Sequence, residues 1–139
     1  MRVHISLPVE AIDRSVPFYE ALFGQTVTKR RDDYANFRLD TPAIMLALVK
    51  GTANPDHANG ARHYGVELPD GDALAAFQTR AEAAGLPIRI EEQVTCCYAV
   101  ADKFWTTDPD GHEWELWVRT ADADSMGTGL PPASKGCCG

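Results

Sequence analysis

A strand–helix–three-strand pattern runs twice along this chain, and that internal repeat restricts the fold more than any other feature. The first stretch, Arg2–Val9, places Val3, Ile5, Leu7 and Val9 on one face and Arg2, His4 and Ser6 on the other. That is the period of a strand covered on one side. A helix should follow, with Ser15 as its N-cap, Pro17 in its first turn and its end near Gly24. Phe18, Ala21 and Leu22, with Tyr19 and Phe23 toward one edge, supply its apolar stripe. Strands are expected near Gln25–Arg31, Tyr34–Leu39 and Ala43–Val49.

The order then begins again. Arg62–Leu68 alternates as a strand, Asp70–Ala84 has helical spacing with Gly85 as terminator, and strands are expected near Pro87–Gln93, Cys97–Thr106 and His112–Arg119. Gly51–Gly60 reads as the connecting loop. Superimposing the halves brings His4 onto His63 and Leu46 onto Glu115. The expected class is α+β: two βαβββ units, about residues 2–50 and 61–119, whose half-sheets form a curled mixed sheet with helices outside. Residues 120–139, rich in Gly, Pro, Ser and Asp, are expected to be a flexible C-terminal tail.

The chain has 139 residues and a net charge of −7, which argues against a nucleic-acid partner because phosphate neutralisation needs a basic surface. No stretch approaches a membrane span or a signal peptide, so a cytoplasmic, soluble protein is expected. The four cysteines form two adjacent pairs, Cys96-Cys97 and Cys137-Cys138. Neighbouring cysteines bridge only through a strained ring, and a reducing cytosol disfavours pairing the pairs, so free thiols are expected.

Parity then selects a constellation. His4 and His63 lie on the strand faces opposite the apolar ones, and in the last strand Glu113, Glu115 and Trp117 oppose Trp114, Leu116 and Val118. Two imidazoles and one carboxylate on one surface leave coordination positions open and suit Fe(II), with Mn, Ni, Co or Zn as substitutes. A lone strand histidine or glutamate is more often solvated or hydrogen-bonded than a ligand; the repeat relation between His4 and His63 lifts both above that expectation. His57 in the connecting loop and His112 on the wrong parity are not first choices.

The run Ile12-Asp13-Arg14-Ser15-Val16-Pro17-Phe18-Tyr19, closing at Leu22-Phe23-Gly24, resembles the first-helix signature of the vicinal-oxygen-chelate superfamily. Asp108-Pro109-Asp110-Gly111-His112-Glu113-Trp114-Glu115 resembles its closing motif, a turn followed by a strand carrying a metal-binding Glu. The resemblance covers about residues 2–119 and implies a glyoxalase-like cup with His4, His63 and Glu115 as catalytic metal ligands.

A narrower resemblance rests on Thr95-Cys96-Cys97-Tyr98, Asp102-Lys103-Phe104-Trp105, Asp33-Tyr34-Ala35-Asn36-Phe37 and the terminal pair Cys137-Cys138. Together these are similar to the organoarsenical carbon–arsenic lyases and their cadmium-induced relatives, in which the first metal ligand is Gln or His. The resemblance implies Fe(II)- and O2-dependent cleavage of trivalent organoarsenicals to arsenite, with Cys96 and Cys97 binding the substrate. Monosubstituted trivalent arsenic carries two exchangeable oxygen ligands, which two soft thiolates can replace. Two other readings stand beside it: a cadmium- or arsenic-binding stress protein without turnover, and another metal-dependent dioxygenase such as an extradiol ring-cleaving enzyme. Lys103 and Trp105 lie where a loop could cover the substrate, and no catalytic role for either follows from the sequence. A homodimer that trades elements between chains is one arrangement the repeat allows.

Overall fold

The computed structural model describes residues 1–51, 63–96, 98–125 and 127. The chain divides into two compact units, Met1–Ala61 with Thr107–His112, and Arg62–Thr106 with Glu113–Gly139.

In unit 1, strand β1 (Val3–Val9) is followed by helix α1 (Ile12–Phe23), then β2 (Lys29–Arg30), β3 (Tyr34–Arg38) and β4 (Ile44–Lys50). The sheet order is β1-β4-β3-β2, with β1 parallel to β4 and the remaining pairs antiparallel. Helix α1 turns Ile12, Val16, Tyr19 and Leu22 inward, one residue per turn, onto Phe37, Leu46 and Leu48 of the sheet. Each buried Leu or Phe on this face is worth about 1.5–3 kcal/mol over exposure.

The helix starts earlier than its sequence suggests. Ala11 is the N-cap and has no side chain to cap with, so the expected N-cap, Ser15, lies inside the helix. Its buried Oγ is 3.2 Å from the Ala11 carbonyl and 3.1 Å from Asp110 Oδ2. Pro17 is consequently interior rather than in the first turn, which leaves one helical carbonyl without its N–H donor. Gly24 ends the helix in the left-handed region at φ 63°, as expected of a C-terminal glycine.

In unit 2, β5 (Tyr64–Glu67) precedes α2 (Gly71–Ala83), β6 (Ile88–Cys96), β7 (Ala99–Thr107) and β8 (Glu113–Asp122). The order β5-β8-β7-β6 repeats that of unit 1, with β5 parallel to β8. The Asp70 side chain caps α2 by accepting from Ala73 N at 2.8 Å. Tyr64, Val66, Trp114, Leu116 and Val118 form the apolar face, against which α2 packs Leu74 and Ala81. Both expected βαβββ units are therefore present, and α1 and α2 each begin eight residues after His4 and His63.

Several boundaries move, and the strand expected at Gln25–Arg31 is confined to Lys29–Arg30. Strand β6 runs on to Cys96 instead of ending at Gln93, and β8 runs to Asp122, past the expected start of the tail at 120. After β8, Ala123 N donates to the Tyr98 carbonyl, and Gly127 (φ 69°) lies so close to the Thr95 backbone that a Cβ there would overlap it. Among the described residues no helix is long and apolar enough to cross a membrane.

Candidate metal centre

The parallel register of β5 with β8 sets Gly65 beside Glu115 and Glu67 beside Trp117, so these residues and His63 share the face opposite α2. His63 Nε2 lies 3.3 Å from Glu115 Oε2. Donor atoms held about 2.1 Å from one ion at right angles lie about 3 Å apart, so this spacing suits a shared metal. A Cβ at Gly65 would stand 3.5 Å from Oε2; the glycine keeps that space beside the oxygen open. Imidazole nitrogen with carboxylate oxygen is the donor chemistry of Fe, Mn, Co, Ni or Zn.

The other Glu115 oxygen is engaged as well. Lys103 Nζ donates to Oε1 at 2.6 Å, and both side chains are buried. Trp105, two residues along β7 on the same face, meets the His63 ring edge-on at 5.0 Å. Lys103 and Trp105 are thus strand residues on the site face, within the strand expected at Cys97–Thr106.

Strand β6 brings a third group to this face through a bulge. Arg89 pairs with Trp105 and Glu91 with Lys103, but Val94 then pairs with Ala101 and Cys96 with Ala99. Two residues, Glu92 and Gln93, oppose the single Asp102, and Gln93 takes φ 52°. Asp102 Oδ1 pins the bulge by accepting from Gln93 N at 2.7 Å and Nε2 at 3.0 Å. The extra residue reverses the parity, so Val94 and Cys96 join the face of Lys103, Trp105 and Glu115.

Cys96 is disulfide-bonded, where a free thiol was expected. Cys97, Cys137, Cys138 and His57 lie outside the described residues. Tyr98, directly after the cysteines, is exposed in a turn at φ 62°.

His4 lies in unit 1, exposed, paired with Met45 of β4. Its face of the sheet also carries Ser6, Ala47 and Asn36; Asn36 Nδ2 donates to Tyr34 Oη at 3.0 Å. Ser6 pairs with Ala47 as Gly65 pairs with Glu115. Ala47, not Leu46, is therefore the repeat counterpart of Glu115, because Leu46 faces the helix. Among the described residues no three His, Cys, Asp or Glu side chains are gathered as a ready metal set.

Residues 2–116 match the family model of the glyoxalase/bleomycin resistance protein/dioxygenase superfamily. The chain belongs to that superfamily. Its relatives include a trivalent organoarsenical cleaving enzyme of Thermomonospora curvata, 38% identical over 90% of this chain and 82% of its own. Another relative is the cadmium-induced protein CadI of Mycobacterium bovis, 35% identical over 92% of this chain and 82% of its own. Among solved structures, a superfamily protein from Alicyclobacillus acidocaldarius superimposes with TM-score 0.72 at 16% identity, covering 86% of this chain and 92% of that one.

The closing turn that marks this superfamily member's sequence, Asp108–His112, has a structural task. Asp108 Oδ2 accepts from Tyr19 Oη at 2.6 Å and meets His112 Nδ1 at 2.8 Å, while Oδ1 accepts from the backbone N–H of Asp110 and His112. Burial pushes the Asp108 carboxyl upward, but hydrogen bonds from His112 and Tyr19 outweigh it and hold the group below the usual range. The bond to Asp108 raises His112 against the opposing effect of burial. His112 is thus committed to the turn in front of β8, consistent with its exclusion from the ligand set.

Proposed function

We propose that this chain is an Fe(II)- and dioxygen-dependent lyase that cleaves the carbon–arsenic bond of trivalent organoarsenicals and releases arsenite. The observation that carries this reading is the His63–Glu115 pair at 3.3 Å on the sheet face that Cys96 also occupies. A hard metal position and a soft thiol position on one surface suit a substrate with carbon at one end and arsenic at the other. The Thermomonospora relative, named as a trivalent organoarsenical cleaving enzyme, supports arsenic as the element.

In this reading His4, His63 and Glu115 hold the metal, and Cys96 with Cys97 holds arsenic. Two thiols displace the two hydroxyls of R–As(OH)2 as water, forming two S–As bonds. Cys96 can do so only after its disulfide is reduced by a cellular thiol. Lys103 fixes the rotation of the Glu115 carboxylate. Bound iron supplies open positions for dioxygen. For the methyl compound, methylarsonous acid plus one O2 balances to arsenite plus formaldehyde.

Reduced, Fe(II)-loaded protein should convert methylarsonous acid under air to arsenite and formaldehyde in equal amounts, and to neither without dioxygen. Arsenite release that persists without dioxygen would contradict the chemistry. A second reading is a soft-metal binding protein without turnover; the Mycobacterium relative is named for its induction by cadmium. That reading predicts stoichiometric arsenical binding and no arsenite under either atmosphere.

A further inference from the structure

Cys96 stands on a short tip of its sheet. The order β5-β8-β7-β6 puts β6 at the edge, with β7 as its neighbour. Beyond the bulge three pairs complete the ladder: Val94 with Ala101, Thr95 with Val100 and Cys96 with Ala99. A two-stranded hairpin of that length is marginally stable in water by itself. Tyr98, in the turn that joins the strands, adds strain at φ 62°. A bulky residue keeps a left-handed conformation only where its surroundings enforce it.

The end of β8 and the chain after it meet this tip at three successive points. Thr120 Oγ1 donates to the Val100 carbonyl at 3.1 Å, and Ala123 N donates to the Tyr98 carbonyl at 2.9 Å. Gly127 then lies against Thr95, where a Cβ would overlap the Thr95 carbonyl. The contacts therefore descend β7 from Val100 to Tyr98 and cross the turn to Thr95 on β6. Gly127 is fixed as glycine twice over, by that close approach and by its φ of 69°.

We propose that Ala123 and Gly127 are positioning residues that strap the Cys96 hairpin tip in the geometry that captures arsenic. The proposal rests on the arsenical reading above, in which Cys96 and Cys97 form two S–As bonds, each releasing one water. Two-point capture is favoured when both thiols already stand at the required spacing. A fraying tip must be ordered at the moment of binding, and that cost is taken from affinity. The strap contacts are non-covalent, so they persist when the Cys96 disulfide is reduced, the state that takes arsenic.

The test uses full-length reduced protein and three variants. Gly127→Ala drives a Cβ into the Thr95 backbone, and Ala123→Pro removes the N–H given to Tyr98. Asp124→Ala, exposed in the same segment, is the control. Amide exchange at Val94–Cys96 and Ala99–Ala101 is compared with that of Phe104 and Trp105, further along β7. Exchange at the tip should rise about tenfold in the first two variants only, with Phe104 and Trp105 unchanged. Affinity for phenylarsonous acid should fall about tenfold in the same two variants, while Mn(II) affinity holds. Wild-type exchange at the tip in both variants, or a rise spread evenly along β7, overturns the strap. Faster exchange at the tip with undiminished arsenical affinity overturns the positioning role. If the tip responds as expected while even the wild type binds no phenylarsonous acid, the strap stands and the arsenical reading fails.

Discussion

Lys103 Nζ sits 2.6 Å from Glu115 Oε1 while His63 Nε2 approaches the other oxygen of the same carboxylate at 3.3 Å. Glu115 thus has an amine donor on one oxygen and a ligand-type neighbour on the other. A divalent ion at Oε2 would lie about 5 Å from the ammonium, where an effective dielectric near 20 gives a repulsion of several kcal/mol. Lys103 would therefore stabilise the metal-free site and lower its affinity for such an ion.

Lys103→Met should destabilise the metal-free protein by about 3–5 kcal/mol, because it leaves a buried carboxylate without its cation. A saturating divalent metal can take over that role, so Mn(II) should raise the melting temperature more in the variant than in the wild type. Calorimetry with and without Mn(II) reads both effects. Equal metal-induced shifts would contradict the proposed competition between Lys103 and the ion.

Tyr19→Phe removes the hydroxyl that donates to buried Asp108 and should cost about 1.5–3 kcal/mol. The same network predicts a pH window. His112 is raised in the fold, so its contribution is complete below about pH 6.5 and lost as pH rises through its folded value. Asp108 is lowered, so its contribution is present above about 3.8 and lost as pH falls through its folded value. Thermal stability should peak between those limits, and His112→Ala should remove the decline on the alkaline side. An alkaline limb unchanged in that variant would assign it to another group.

The repeat was legible because strands and helices here announce themselves by period, and because His4 and His63 stand at the same distance from the helices that follow. Parity on β5 and β8 likewise placed His63 and Glu115 on one face. The bulge at Glu92–Gln93 was not legible: plain alternation puts Arg89, Glu91, Gln93 and Thr95 together and turns Cys96 away. Only the pairing with β7, held by Asp102, shows the reversal. The role of Lys103 was not legible either, because a lysine in a strand has no evident task until its carboxylate partner is known. The Tyr19–Asp108 bond joins residues 89 apart, a contact local patterns do not encode.

Cys96→Ser should lose arsenical binding, because a serine oxygen cannot replace a soft thiolate. Wild-type protein should behave the same way while oxidised and recover on treatment with a dithiol, since Cys96 is disulfide-bonded in the structure. Phenylarsonous acid binding, measured by calorimetry on oxidised and reduced protein, checks both. Equal affinity in the two redox states would return the cysteine to a structural role.

The most direct measurement is iron content after Fe(II) loading and desalting of wild type, His63→Ala and Glu115→Ala, with circular dichroism to verify the fold. The account predicts about one iron per chain in the wild type and almost none in either variant, with spectra unchanged. Full iron occupancy in a folded Glu115→Ala or His63→Ala protein would contradict it, because the metal would then be held elsewhere.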